Sequence, residues 1–154
     1  MKRCKQMLMA AVCVCLMVFM LPATANAADS NQSIVYYADG SYSIISVMYD
    51  DEQTDISLTA GESTRKGAKQ TEYYTSNHDL AWVLTVYGEF TYNGRTAKAT
   101  DADYSYAIYD PDWSFVRGSA SYSGATATAT GNFKHITTRT ASVSLTCSAD
   151  GVLS

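Results

Sequence analysis

Residues 82–94 constrain the fold of this chain more than any other stretch, because they combine a strict alternation with a tight-turn sequence. Every second position carries an apolar residue or glycine: Trp82, Leu84, Val86, Gly88 and Phe90. From residue 85 onwards the positions between them are polar or amphipathic: Thr85, Tyr87, Glu89 and Thr91. This period of two predicts a β-strand with one buried face. Asn93-Gly94 then supplies the positive-φ positions of a two-residue hairpin turn.

A two-residue turn would also set the register of this hairpin. The expected cross-strand pairs are Tyr92 with Arg95, Thr91 with Thr96, Phe90 with Ala97 and Glu89 with Lys98. The outer face would then bring threonine against threonine and a carboxylate against an ammonium, contacts worth about 0.2–1 kcal/mol each. The predicted register therefore agrees with the predicted faces.

Short alternating segments separated by turn residues continue along the rest of the chain. A second hairpin is predicted at Asp39-Gly40, between strands at residues 33–38 and 41–49. Further strands are predicted at residues 54–60, 70–75, 103–109, 113–122, 125–133 and 137–148. Residues 61–69 are polar, show no apolar period and predict a mobile loop.

The last two predicted strands have small or apolar residues on one face and hydroxyl-bearing residues on the other. The expected inward residues are Ala125, Ala127, Ala129, Gly131 and Phe133, followed by Ala141, Val143, Leu145 and Cys147. About nine short strands and several tight turns predict an all-β protein, an antiparallel β-sandwich that is Ig-like or similar. A closed β-barrel is the alternative architecture.

The N-terminal residues have the pattern of a cleavable secretory signal. Three cations precede an apolar run at residues 7–21, and small residues place the cut between Ala27 and Ala28. The run is shorter than the roughly 20 residues that span a bilayer. We therefore expect a signal peptide at residues 1–27 and one β domain at residues 28–154. That domain would be secreted or associated with the cell wall, without stable membrane insertion.

Charge and cysteine content exclude several classes of partner and chemistry. Removal of the three leader cations from a chain of net charge −4 leaves −7. Such an acidic domain argues against nucleic acid as a partner, because nucleic acid requires a basic footprint. Cys147 is the one cysteine beyond the leader, so no intramolecular disulfide can form. Its alternation with Val143 and Leu145 indicates a small buried residue in preference to a reactive thiol.

No sequence motif for catalysis or cofactor binding is present, so we expect no enzyme and no cofactor. The two histidines, His78 and His135, belong to no HExxH pattern and no Cys/His cluster, and no serine lies in a GxSxG elbow. Carboxylates do cluster, and calcium favours such oxygens. The clusters are Asp50-Asp51-Glu52 with Asp55, Asp101 with Asp103, and Asp110 with Asp112. None has EF-hand spacing, and turn chemistry explains carboxylates at such positions.

Tyrosine is the unusual component of the composition, with 12 residues that all follow the predicted leader. Outward-facing aromatic rings on a sheet can stack on sugar rings while neighbouring polar groups bind hydroxyls. Tyr87 and Tyr109 are the two tyrosines predicted to face outward from their strands. Tyrosine is also a good strand former, so a purely structural role is the competing interpretation.

Three segments resemble small exported β-rich proteins of Clostridia-type Gram-positive bacteria. They are LAWVLTVYGEFTYNG at residues 80–94, SGATATATGNF at 123–133 and LTCSADG at 145–151. The resemblance covers about residues 62–154 and implies secretion by a Gram-positive bacterium and a β fold. It implies no activity.

Together these features lead us to expect a non-enzymatic secreted or wall-associated domain that binds a surface or host ligand, a cell-surface glycan or a protein. A secreted effector or toxin-like protein acting on other cells is the alternative. An enzyme with an unfamiliar site is a third possibility.

Overall fold

The computed structural model describes residues 32–49, 57–59 and 61–154, and every regular element in these ranges is a β-strand. The strands are β1 (Gln32–Tyr36), β2 (Tyr42–Tyr49), β3 (Ser57–Thr59), β4 (Glu62–Tyr74), β5 (Leu80–Tyr92), β6 (Ala97–Ile108), β7 (Ser114–Ser123), β8 (Thr126–Lys134) and β9 (Thr138–Thr146). No described stretch forms a helix long and apolar enough to cross a membrane. The predicted signal peptide, its cleavage point at Ala27 and Ala28, and the acidic run at residues 50–55 lie outside the described residues.

The strands form two antiparallel sheets that are not closed into a barrel, so the predicted β-sandwich is confirmed. The larger sheet has the order β1-β2-β4-β5-β6, and β3 pairs with the first residues of β4. The smaller sheet has the order β7-β8-β9. The smaller sheet packs mainly on β5 and β6, which leaves all five residues of β1 exposed.

The core lies between the inner faces of the two sheets, and the residues predicted to face inward on β5 fill one side of it. Trp82, Leu84, Val86 and Phe90 are buried, as are Ala127, Ala129, Phe133, Val143, Leu145 and Cys147 from the smaller sheet. The ring of Trp82 stacks on Phe133, with ring centroids 3.9 Å apart, and on Tyr73 at 4.9 Å. The alternation read from the sequence therefore identified the buried face correctly.

Glycine allows the two sheets to approach each other closely at Gly88. A Cβ at this position would lie 2.6 Å from the ring of Phe90 and 3.1 Å from the Cβ of Ala127. On the neighbouring strand, Gly67 lies opposite Gly88 and leaves room for the side chain of Leu153. The C-terminal residues fold back to place Leu153 there, through paired backbone hydrogen bonds between Thr146 and Ser154.

The prediction of a mobile loop at residues 61–69 is wrong, because these residues form most of β4. This strand of 13 residues is hydrogen-bonded between β2 and β5. Its inward positions include Arg65, opposite Phe90, and Lys69, opposite Val86. Both basic side chains are half-buried. The inner face of the strand therefore lacks the regular apolar alternation from which a strand is predicted. Hydrogen bonds to the two neighbouring strands therefore stabilise β4, although its own residues lack the local pattern of a strand.

The hairpin between β5 and β6 is present, but its predicted register is wrong by two residues. Tyr92 pairs with Ala97, Thr91 with Lys98 and Phe90 with Ala99. The predicted two-residue turn with positive φ at both Asn93 and Gly94 is also wrong, because only Gly94 has a positive φ, of 79°. The Asn93 side chain instead accepts hydrogen bonds from the backbone of Arg95 and Thr96, at 3.0 and 2.9 Å, in a longer connection. A shift of two residues preserves every face, so Phe90 still points inward.

A β-bulge beyond Phe90 shifts the pairing of these two strands once more. It leaves Glu89 opposite Asp101 and not opposite Lys98 as predicted. The Thr100 hydroxyl bonds to the Glu89 carbonyl oxygen at 3.1 Å, which ties the extra residue to β5. The hairpin at Asp39-Gly40 is likewise confirmed with a longer loop, because Tyr36 pairs with Tyr42 and the backbone of Tyr37 bonds to Ser41.

Candidate functional site

The outer face of the larger sheet, which points away from the smaller sheet, carries exposed aromatic and charged side chains, among them Tyr36, Tyr87 and Asp103. Strand register aligns these side chains in rows that cross the sheet. One row contains Tyr36, Tyr42 and Tyr74; another contains Met48, Ala68, Tyr87 and Asp103; the next contains Lys66, Glu89 and Asp101. Tyr87 is 45% exposed, as predicted for an outward position.

A groove of about 490 Å³ lies on this face above Ala68. We call it the Tyr87 groove, and its lining consists of Met48, Lys66, Gly67, Ala68, Tyr87, Gly88, Glu89, Asp101, Ala102 and Asp103. The groove forms because alanine stands between two long side chains, Met48 and Tyr87, in the same cross-strand row. The small residue is therefore the floor, and its neighbours are the walls.

The Tyr87 ring is held in place at the wall of the groove. Its hydroxyl lies 3.1 Å from the hydroxyl of Ser105 on the neighbouring strand. Tyr87 also lies directly opposite Asp103, so an aromatic ring and a carboxylate stand side by side across β5 and β6. This pairing gives a ligand both a ring to stack on and a hydrogen-bond acceptor.

Acidic groups outnumber basic groups in the Tyr87 groove. Lys66 forms an ion pair with Glu89 at 3.3 Å. Asp101 is the cross-strand partner of Glu89, so two acidic residues are neighbours across β5 and β6. Asp101 and Asp103 each accept a hydrogen bond from the backbone amide of the following residue, at 2.9 and 2.7 Å.

A second aromatic feature, which we call the tyrosine row, consists of Tyr36, Tyr42 and Tyr74 at the other end of the outer face. The rings of Tyr42 and Tyr74 are parallel, with centroids 4.9 Å apart, and Tyr36 is 74% exposed at the sheet edge. Tyr74 donates a hydrogen bond to a carboxylate oxygen of Glu72 at 2.8 Å. That hydrogen bond and partial burial raise the pKa of Tyr74 to about 12.

Sequence reasoning did not find the tyrosine row. The signal for Tyr36 and Tyr42 was present, because they flank the turn at Asp39-Gly40 and a hairpin brings such residues together. Tyr74 could not be added, because its place beside Tyr42 depends on the pairing of β2 with β4.

Tyr109, the other predicted binding residue, is 61% exposed and lies just beyond the end of β6. Its backbone amide bonds to the carbonyl oxygen of Ala81 at 2.9 Å. Ala81 is six positions from Tyr87 along β5, which corresponds to a separation of roughly 20 Å. The structure therefore does not bring Tyr87 and Tyr109 into one site.

The remaining candidate residues have structural explanations in the described part of the chain. No three His, Cys, Asp or Glu residues in that part come together in a way that would hold a metal ion. Asp110 accepts a hydrogen bond from the amide of Asp112 at 2.9 Å, which is ordinary turn chemistry. His135 stacks on Trp113, with ring centroids 5.4 Å apart. Burial raises the pKa of the Cys147 thiol, which disfavours the reactive thiolate.

No protein-family model, curated protein or solved structure matches this chain. The fold and the face together define a class of protein, a two-sheet antiparallel β-sandwich with a groove and exposed tyrosines on one sheet face.

Proposed function

We propose that this chain is a non-enzymatic binding module that holds a cell-surface glycan in the Tyr87 groove, as part of a secreted or wall-associated protein. One observation carries the proposal: an exposed aromatic ring forms the wall of a groove whose rim bears charged and polar side chains. Sugar rings present both C–H faces and hydroxyl groups, so they need this combination.

The groove has suitable dimensions and rigidity for such a ligand. Its volume of about 490 Å³ lies within the range of small-molecule sites. It is built on the strands β2, β4, β5 and β6, and strands hold side chains in place more firmly than loops do. The backbone should therefore change little when a ligand binds.

Replacement of Tyr87 by serine tests the proposal directly. We expect retention on immobilised cell-wall glycans to fall about tenfold or more, because the variant lacks the stacking surface. Thermal stability should change little, since Tyr87 is outward-facing and 45% exposed. Tyr122→Ser is the matched control, because Tyr122 is a tyrosine of similar exposure, 51%, on the smaller sheet.

The outcome of this comparison also addresses the alternative, a secreted effector acting on other cells. A glycan array and pull-down from cell-wall fractions should show retention that depends on Tyr87 and causes no cell damage. Killing or permeabilisation of cells without retention on any glycan would refute the binding module and favour the effector. Equal losses in the Tyr87→Ser and Tyr122→Ser variants would place the binding site elsewhere.

A further inference from the structure

The charge of the Tyr87 groove indicates what kind of glycan it would accept, an inference that depends on the proposed function. Of its charged lining residues, one is an ammonium and three are carboxylates. The ammonium of Lys66 is bonded to Glu89 at 3.3 Å. Neither Asp101 nor Asp103 forms an ion pair with a described residue. The rim thus has an excess of negative charge beside an aromatic wall.

We infer that the preferred ligand carries free amino groups, and that the Tyr87 groove selects a hexosamine polymer that lacks its N-acetyl groups. A protonated sugar amine is attracted to Asp101 and Asp103 and can also lie against the face of the Tyr87 ring. The same sugar ring stacks its C–H face on the tyrosine. A single amino sugar therefore matches both features of the site, the carboxylates and the aromatic ring.

The position of the carboxylates supports a ligand amine over other occupants. Glu89 and Asp101 are cross-strand partners on β5 and β6, Lys66 already pairs with Glu89, and a ligand cation beside Asp101 would balance the remaining negative charge. Anionic glycans and phosphate-bearing polymers would be repelled by the same groups. A metal ion is a poorer fit, because no three His, Cys, Asp or Glu residues of the described part form a metal site.

The test compares two ligands that differ only in acetylation, a β-1,4-linked glucosamine oligomer and its fully N-acetylated counterpart of equal length. Binding is measured by isothermal titration calorimetry at low and at moderate salt. We expect the free amine form to bind about tenfold more tightly, the scale of one cation–π contact with two exposed ion pairs. The preference should shrink as salt concentration rises.

Two variants test whether the preference for the free amine form arises in the Tyr87 groove. The double variant Asp101→Asn/Asp103→Asn keeps an oxygen that can accept the backbone hydrogen bonds, so its fold should be retained. It should lose the preference for the amine form. Asp112→Asn removes an exposed carboxylate in the turn after β6 and should leave the preference unchanged.

Three other results would contradict the inference, and each can be distinguished from the other two. If both oligomers bind equally and Tyr87→Ser weakens both, amine selectivity is refuted and glycan binding stands. Asp112→Asn removes one charge and the double variant two, so if Asp112→Asn reduces the preference about half as much as the double variant does, the attraction comes from the net charge of the whole protein and the groove is not selective. If neither oligomer binds, the inference fails, whereas glycan binding itself fails only if the array also shows no Tyr87-dependent retention.

Discussion

Replacement of Trp82 by alanine removes the ring that joins the two sheets. Trp82 is 1% exposed and lies between the rings of Phe133 and Tyr73, at centroid distances of 3.9 and 4.9 Å. Truncation of a buried aromatic residue to alanine costs about 3–5 kcal/mol. Domains of this size are stable by about 5–15 kcal/mol, so the variant would lose a large part of its free energy of unfolding.

A phenylalanine variant removes the indole nitrogen but keeps an aromatic ring, whereas the alanine variant removes both. The Nε1 atom of Trp82 is buried and has no hydrogen-bond partner in the described structure. An unsatisfied buried donor costs about 1–3 kcal/mol, and Trp82→Phe removes that donor while it keeps a ring in the stack. We therefore expect Trp82→Phe to lose less than about 2 kcal/mol, because the smaller ring is offset by the loss of the donor.

Guanidinium unfolding followed by far-ultraviolet circular dichroism measures both changes without reliance on tryptophan fluorescence. The expected order of stability is wild type, then Trp82→Phe, then Trp82→Ala. A Trp82→Ala variant within about 1 kcal/mol of wild type would refute the assignment of the buried face. Equal losses in the two variants would show instead that a phenylalanine ring does not replace the indole in the stack with Phe133 and Tyr73.

Three further predictions concern close packing, a tyrosine pKa and the β5–β6 turn. Gly88→Ala should lower the free energy of unfolding by about 1–3 kcal/mol, because its Cβ would lie 2.6 Å from the Phe90 ring; denaturant unfolding measures the loss. Glu72→Gln should lower the pKa of Tyr74 from about 12 towards its ordinary value near 10, as followed by phenolate absorbance. Because the folded pKa is raised, this interaction stabilises the fold fully below pH 10 and is lost as pH rises towards 12. Asn93→Ala should cost about 1 kcal/mol, since the Asn93 oxygen accepts bonds from the amides of Arg95 and Thr96, and Asn93→Asp should restore most of the loss.

The faces of β5, β8 and β9 could be predicted because each residue's orientation on a strand depends only on whether its position is odd or even. Trp82 and Leu145 are buried as the alternation predicts, and Tyr87 is exposed. The two-residue error in the β5–β6 register left these faces intact for the same reason. Alternation therefore predicts faces more reliably than it predicts cross-strand partners.

The strand β4 could not be predicted from its own residues. Arg65 and Lys69 point inward, and their opposite neighbours are Phe90 and Val86 on β5. The long basic side chains can pack their methylene groups against apolar surface while their charged ends reach polar surroundings. A sequence pattern counts such residues as polar, so only the pairing of β4 with two neighbours reveals the strand.

The candidate site shows the same limit, because it is made by neighbours in space that are distant in sequence. Tyr87 could be singled out as an outward aromatic residue, but its groove also requires Ala68 from β4 and Met48 from β2. Ala68 belongs to the stretch that the sequence assigned to a loop. A small residue becomes the floor of a groove only when larger side chains stand beside it on adjacent strands. The pairing of β4 with β5 brings Lys66 into the same groove as the carboxylates of β6. Only then do these carboxylates and the single ammonium group belong to one site, in which negative charge exceeds positive charge.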